Sequence, residues 1–332
     1  MRTLVAHFGS MRTTLALMAL MGAVVLASTL QDRLLAGALT AVALLLALQL
    51  LVSLVRSVKL QRHAPLLLFH LALLALGVEV GLSRLLSLDG RFELTEGQVF
   101  DGRLIDGRQG ALHRGDLARA RLVQLGFEID YAPGRRRGAT RNTVRWVEAD
   151  GRERQTVIGD HRPLVIDGYR VSTTPNKGFA PVVRWQPTTG VAVVGSIHLP
   201  SFPLFELQQS REWHLPDGRQ AWVMLDFDQR LLDPTGPSAF ERPRQHRLVL
   251  RIGSERLLLE PGGRVAVPGG ELHYLGLATW MGYRVSHDPL LPWLLATALL
   301  GTGALAWHYA RKFRQPAPAR LAPQGWNGIH HA

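Results

Sequence analysis

Four apolar runs set the terms on which this chain can fold. They cover residues 13–30, 34–55, 65–83 and 289–309, and each is almost free of charge. Each approaches the ~20 residues that a helix needs to cross the hydrocarbon layer of a bilayer. In lipid such a run has to be helical, because nothing around it bonds its amides. The runs predict an integral membrane α-helical protein with four transmembrane helices. Three helices (about 13–30, 34–55 and 65–83) occupy residues 1–86, a large domain occupies 87–288, and the fourth helix occupies 289–309. Residues 310–332 are a cytoplasmic Pro-rich tail, and the part after Gln315, rich in Pro and Ala, reads as disordered.

The formal charge is +12, and its placement matters more than its size. Arg2, Arg12, Arg56, Lys59, Arg62, Arg311, Lys312, Arg314 and Arg320 flank the apolar runs with no acid among them. Residues 85–309 hold 27 basic and 24 acidic residues, close to balance. The excess is therefore an orientation signal and not a nucleic-acid footprint. By the positive-inside rule both termini are cytoplasmic and residues 87–288 are extracytoplasmic, as in a multi-pass protein of a bacterial inner membrane. The first run also fits a signal peptide, but Gln31-Asp32-Arg33 makes the tight link of a helical hairpin.

There is no cysteine. That excludes a thiol–disulfide relay, and it excludes covalent c-type heme on this chain, which needs Cys-x-x-Cys-His.

The large middle segment alternates strand-like runs with turn signals. Leu122–Tyr131, Thr143–Val147, Leu164–Ser172, Ala221–Phe227, Arg247–Ile252 and Glu271–Ala278 are separated by Pro-Gly, Asp-Gly, Asp-Pro and Gly-Gly steps. This spacing predicts an all-β domain, a sandwich or an open barrel.

Chemistry-bearing motifs are few. There is no Gly-x-Ser-x-Gly, phosphate-binding glycine loop or His-Glu-x-x-His. Asp226 and Asp228 share a strand face, which a solvated edge explains. His113, His161, His198, His214, His246 and His273 lack metal-ligand spacing. Arg135, Arg136 and Arg137 read as a solvated hairpin tip. His70 stands out: it lies inside the third run, about 9 Å along the helix from its start. An imidazole there faces a partner, a cavity or a ligand, and a helix-packing histidine remains the other reading. Glu79, nine residues on, reads as an interfacial carboxylate.

Several segments, in order, are similar to one known family. They are Gly9-Ser10-Met11-Arg12, the run Leu68-Phe69-His70-Leu71-Ala72, and Gly90-Arg91-Phe92-Glu93-Leu94-Thr95-Glu96-Gly97. Further on come Asp167-Gly168-Tyr169-Arg170-Val171-Ser172, Lys177-Gly178-Phe179-Ala180-Pro181 and Trp280-Met281-Gly282-Tyr283-Arg284-Val285-Ser286-His287-Asp288-Pro289. The chain resembles the ResB (CcsB) family of cytochrome c biogenesis proteins across nearly its whole length. That resemblance implies a subunit of a membrane cytochrome c synthase, not catalytic alone. Such a subunit works with a ResC/CcsA-like heme-handling protein to export heme b, bound non-covalently in transit, and deliver it to apocytochrome c. A thioredoxin-like thiol-reducing protein is a further implied partner.

The resemblance also assigns His70 the role of an axial heme ligand. His287, at the outer end of the last run, and His308, near its cytoplasmic end beside Trp307 and Tyr309, are weaker heme candidates. The rival reading is a membrane-tethered binding or sensor module without heme.

Overall fold

Runs of Leu, Ala and Val without turn signals become helices in the computed structural model, which describes residues 11–28, 35–148 and 150–314. The helices are α1 (Met11–Ser28), α2 (Leu35–Arg56), the single turn α3 (Val58–Gln61), α4 (Ala64–Leu86) and α5 (Leu291–Arg314). Pro65 sits in the first turn of α4, where its missing N–H is no loss. The Gln31–Arg33 link and the Pro-rich tail lie outside the described residues.

The expectation of four transmembrane helices does not stand. Among the described residues only α4 is both long and apolar enough to cross a membrane, with 23 residues and a mean hydropathy of 2.0. The apolar stretches described in α1 and α2, Arg12–Ala27 and Ala41–Arg56, fall short of that length. Helix α5 is long, but Thr297, Thr302, Gly301, Gly303 and the terminal Arg311, Lys312 and Arg314 dilute its apolar character. The remainder of the described chain is dominated by strands in three antiparallel sheets, so the protein is mainly β with one candidate span.

Contacts divide the chain into a helical unit (residues 1–84 and 290–332) and a β-rich unit, Leu85–Pro289. In the helical unit small residues let helices approach closely. A Cβ on Gly301 would lie 3.2 Å from the Ala72 side chain, and one on Gly77 would lie 3.6 Å from Ala47. Polar groups are matched in pairs. Gln49 donates to Thr14 at 2.5 Å, and Thr297 donates to Glu79 at 2.8 Å. Glu79 is thus a helix-pairing residue, with its second carboxylate oxygen buried and unpartnered.

Two long strands organise the β-rich unit. Strands β7 (Tyr169–Pro187) and β15 (Gly270–His287) pair along nearly their full length. The largest sheet adds β1 (Leu88–Thr95), β2 (Asp106–Gln109), β6 (Leu164–Ile166), β8 (Val193–Ser196) and β14 (Arg264–Val267). A second sheet has the order β13-β12-β10-β9, from Glu255–Leu259, Arg247–Ile252, Gln220–Asp226 and Ser210–His214. A third has the order β11-β3-β4-β5, from Ser238–Ala239, Val123–Ala132, Arg136–Val147 and Glu153–Ile158.

Each smaller sheet covers one half of the long β7–β15 wall, so there are two cores. Phe179, Trp185, Leu272 and Tyr274 of the wall pack with Val223, Leu225, Leu248 and Leu250. Tyr169, Val171, Met281 and Tyr283, with Phe92 of β1, pack with Leu122, Val144 and Ile158. Inward residues alternate with outward ones, as a half-buried strand requires. Two smaller sheets on the long wall of a third replace the expected sandwich or open barrel.

Candidate functional site

His70 lies on α4, half-buried, with its ring edge-on to Phe69. Its Nδ1 is 2.7 Å from the carbonyl oxygen of Leu66, one turn earlier. A carbonyl only accepts, so Nδ1 carries a proton, and in the neutral ring Nε2 is the nitrogen with the lone pair. That tautomer is the one a metal-binding imidazole needs, with the second nitrogen anchored to the backbone.

A second histidine cluster lies in the β-rich unit. His113 is buried; its Nδ1 donates to the Leu86 carbonyl at 2.9 Å, and its Nε2 accepts from the Tyr169 hydroxyl at 2.7 Å. His287 packs on both rings, with centroid distances of 5.1 Å to His113 and 4.7 Å to Tyr169. Its Nδ1 is buried without a partner. Burial, and then the neighbouring His113, hold the His287 pKa below the usual imidazole value against the opposing charge of Asp288. The residue therefore favours its neutral form. These rings line a hollow of about 570 Å³ together with Leu112, Arg114 and Arg119.

A third arrangement crosses three strands. His198 donates from Nδ1 to Glu93 Oε2 at 2.8 Å, so its Nε2 accepts from the Thr95 hydroxyl at 2.9 Å. Thr95 Oγ1 is in turn 2.5 Å from Ser196 Oγ. The imidazole lies flat on Trp280, centroids 5.2 Å apart and planes 12° apart. Acid, imidazole and hydroxyl stand in the order that activates a nucleophile. Here, however, the hydroxyl next to the imidazole is 4% exposed and bonded to a second hydroxyl. These hydrogen bonds and the ring stack tie β1, β8 and β15 together.

No family model matches the chain, and no curated protein matches it in sequence. Among solved structures the chain is similar to one named "Cytochrome c Heme Lyase CcmF", at 14% identity and a TM-score of 0.23. The likeness covers 89% of this chain and 34% of that one, so the chain spans about a third of that protein's length. It is a weak likeness to a cytochrome c heme lyase and does not single out the ResB/CcsB family. At so low a TM-score it assigns neither fold nor role.

The three histidines singled out from sequence are divided between the two units. His70 and His308 belong to the helical unit, and among the described residues no bond or ring contact joins them. His308 makes an edge contact with Tyr309, 5.5 Å between centroids. His287 belongs to the β-rich unit, among His113 and Tyr169. The arginine tip is not simply solvated, since Arg135 pairs with Glu206 at 2.6 Å and Arg137 pairs with Asp160. Asp226 is likewise taken up by Arg247, at 2.6 Å. Sequence reasoning set His113 and His198 aside for lack of metal-ligand spacing and gave Glu93 and Tyr169 no role of their own. Their partners are 56 and 105 residues away, and only the fold brings them together.

Proposed function

We propose that this protein is a heme-handling subunit of a cytochrome c synthase at a bacterial inner membrane. It works beside a ResC/CcsA-like partner to hold heme b in transit and hand it to apocytochrome c, whose cysteines thiol-reducing proteins keep free. Helix α4 anchors it, with the basic flank Arg56, Lys59 and Arg62 on the cytoplasmic side and the β-rich unit outside. Heme is cargo here, bound non-covalently.

The observation that supports this reading is the tautomer of His70. Its Nδ1–H is held by Leu66 O at 2.7 Å, which leaves Nε2 as the ring nitrogen turned from that bond on an apolar helix. Neutral imidazole is a common axial ligand of heme iron. The ordered ResB-like segments on either side of it give that ligand a cargo.

The test is copurification with the partner, reading Soret absorbance, chain abundance and mature cytochrome together. His70→Ala is expected to lower bound heme and cytochrome yield at unchanged abundance, because alanine is well tolerated in an apolar helix. Added imidazole should restore part of the heme by filling the empty coordination position. His308→Ala should have a milder effect. Normal heme and normal maturation in His70→Ala would remove the reading.

A further inference from the structure

A strand at the border of a sheet carries a row of backbone N–H and C=O groups without ladder partners. Two such borders line one groove of the β-rich unit. Among the described residues, strand β8 pairs only with β7, and β9 only with β10.

The registers show which groups face outward. The Ile197 amide donates to Pro181 O and the Leu199 amide to Phe179 O, so the odd-numbered residues of this strand turn to β7. The backbone groups of Val194 and Ser196 then point away. On β9, Leu215 N donates to Arg219 O and Gln209 O accepts from Leu225 N, so the odd-numbered residues turn to β10. Those of Glu212 and His214 point away. Ser196 and His198 from one border, and Glu212 and His214 from the other, line the same groove of about 800 Å³.

The β8 border is also unprotected. Exposed sheet borders usually carry lysine, proline or a bulge. Residues 191–195 read Val-Ala-Val-Val-Gly, with Val191, Val193 and Val194 exposed by 86%, 50% and 59%. The groove itself is lined by Gly195–His198 and Arg211–His214, and at one end Arg211 donates to the His198 carbonyl at 2.9 Å. An extended backbone is the group that can bond to both borders along their length.

We propose that an extended segment of a partner polypeptide adds here as a strand, bonded to β8 on one side and β9 on the other. For the identity of the partner this rests on the function proposed above: the segment belongs to the heme-acceptor chain before heme attachment, when it is unfolded. An unfolded chain has free peptide groups to offer, and a folded cytochrome does not. With β8 at 4 residues and β9 at 5, the segment engaged is of similar length.

The experiment uses the full chain in detergent and a fluorescein-labelled, reduced peptide spanning a Cys-x-x-Cys-His sequence, followed by anisotropy. Val194→Pro removes an outward N–H and leaves the ladder to β7 intact. It should weaken binding about tenfold, and Val194→Lys should act in the same direction without a backbone change. A peptide N-methylated at alternate residues should bind wild-type protein at least as poorly. Equal affinities across these pairs, or no binding of the unmodified peptide to wild-type protein, would overturn the proposal. Heme copurifying with the wild-type complex is read separately. Heme present without peptide binding sinks the groove alone, and groove-dependent peptide binding without heme sinks the heme-handling function alone.

Discussion

Tyr169 and His113 share a buried hydrogen bond of 2.7 Å in which the hydroxyl donates to Nε2. The direction follows from the other nitrogen, which is committed to Leu86 O. The bond has no room beside it, since a Cβ on Gly115 would overlap the Tyr169 hydroxyl. Tyr169→Phe leaves a buried acceptor unmet and should destabilise the protein by about 1–3 kcal/mol. Gly115→Ala should cost at least as much. Urea unfolding at neutral pH measures both, and wild-type midpoints would refute the assignment.

His287 makes stability depend on pH. Its folded-state pKa lies below the 6.5 of the free imidazole, through burial first and His113 second. The unfolded chain therefore binds the proton more readily, and stability is present above pH 6.5 and lost as pH falls from there through the folded pKa. The groups facing it are His113, Tyr169 and Asp288. Thermal midpoints of the wild-type protein should drop between pH 7 and 5. His287→Gln should show a smaller drop, and an equal slope would assign the effect elsewhere.

Lys177 works at the other end of the scale. It is 3% exposed, its ammonium donates to the Pro175 carbonyl at 3.3 Å, and burial, then Arg137, pulls its pKa down to about 8 against the opposing charge of Asp160. Between pH 8 and 10.5 the unfolded chain carries a proton that the folded chain lacks, so stability from this group rises with pH across that window. Below pH 8 the buried charge is a full penalty. Lys177→Met keeps most of the shape and should stabilise the protein at pH 7 by up to about 3 kcal/mol. The gain should shrink toward pH 10.5, and a gain independent of pH would mean that packing, not charge, is responsible.

Membrane orientation is tested through helix α4. Reporter fusions after Arg62 should report cytoplasm, and fusions near Gly151 should report the outer side. Cytoplasmic signals from both positions would exclude an extracytoplasmic β-rich unit.

Local patterns carried into the fold where neighbours in sequence decide the outcome. The alternation in Arg247–Ile252 is β12 residue for residue. The stretch Leu164–Ser172 is instead two strands, because Asp167 and Gly168 both take positive φ and turn β6 into β7, as Asp-Gly steps do. Strand β15 runs past the expected Ala278 to His287, since irregularities at Tyr274/Gly276 and Met281/Tyr283 absorb twist without ending the ladder. Hydropathy misled at α5, where apolar residues are interleaved with glycine, threonine and aromatic residues. The tautomer of His70 depends on Leu66 one turn away and is still local. The bonds of His113 and His198 close loops of 56 and 105 residues, and no spacing in the sequence encodes them.

Strands β1 and β15 are partners from Leu88–His287 to Thr95–Trp280, so the β-rich unit begins and ends on adjacent strands. The chain leaves it about 5 Å from where it entered. An insert with such ends can be gained, lost or exchanged between two helices without displacing either of them. The same arrangement governs its response to load. A pull on the two ends would not shear the ladder as a whole but would part it rung by rung, beginning at Leu88 and His287.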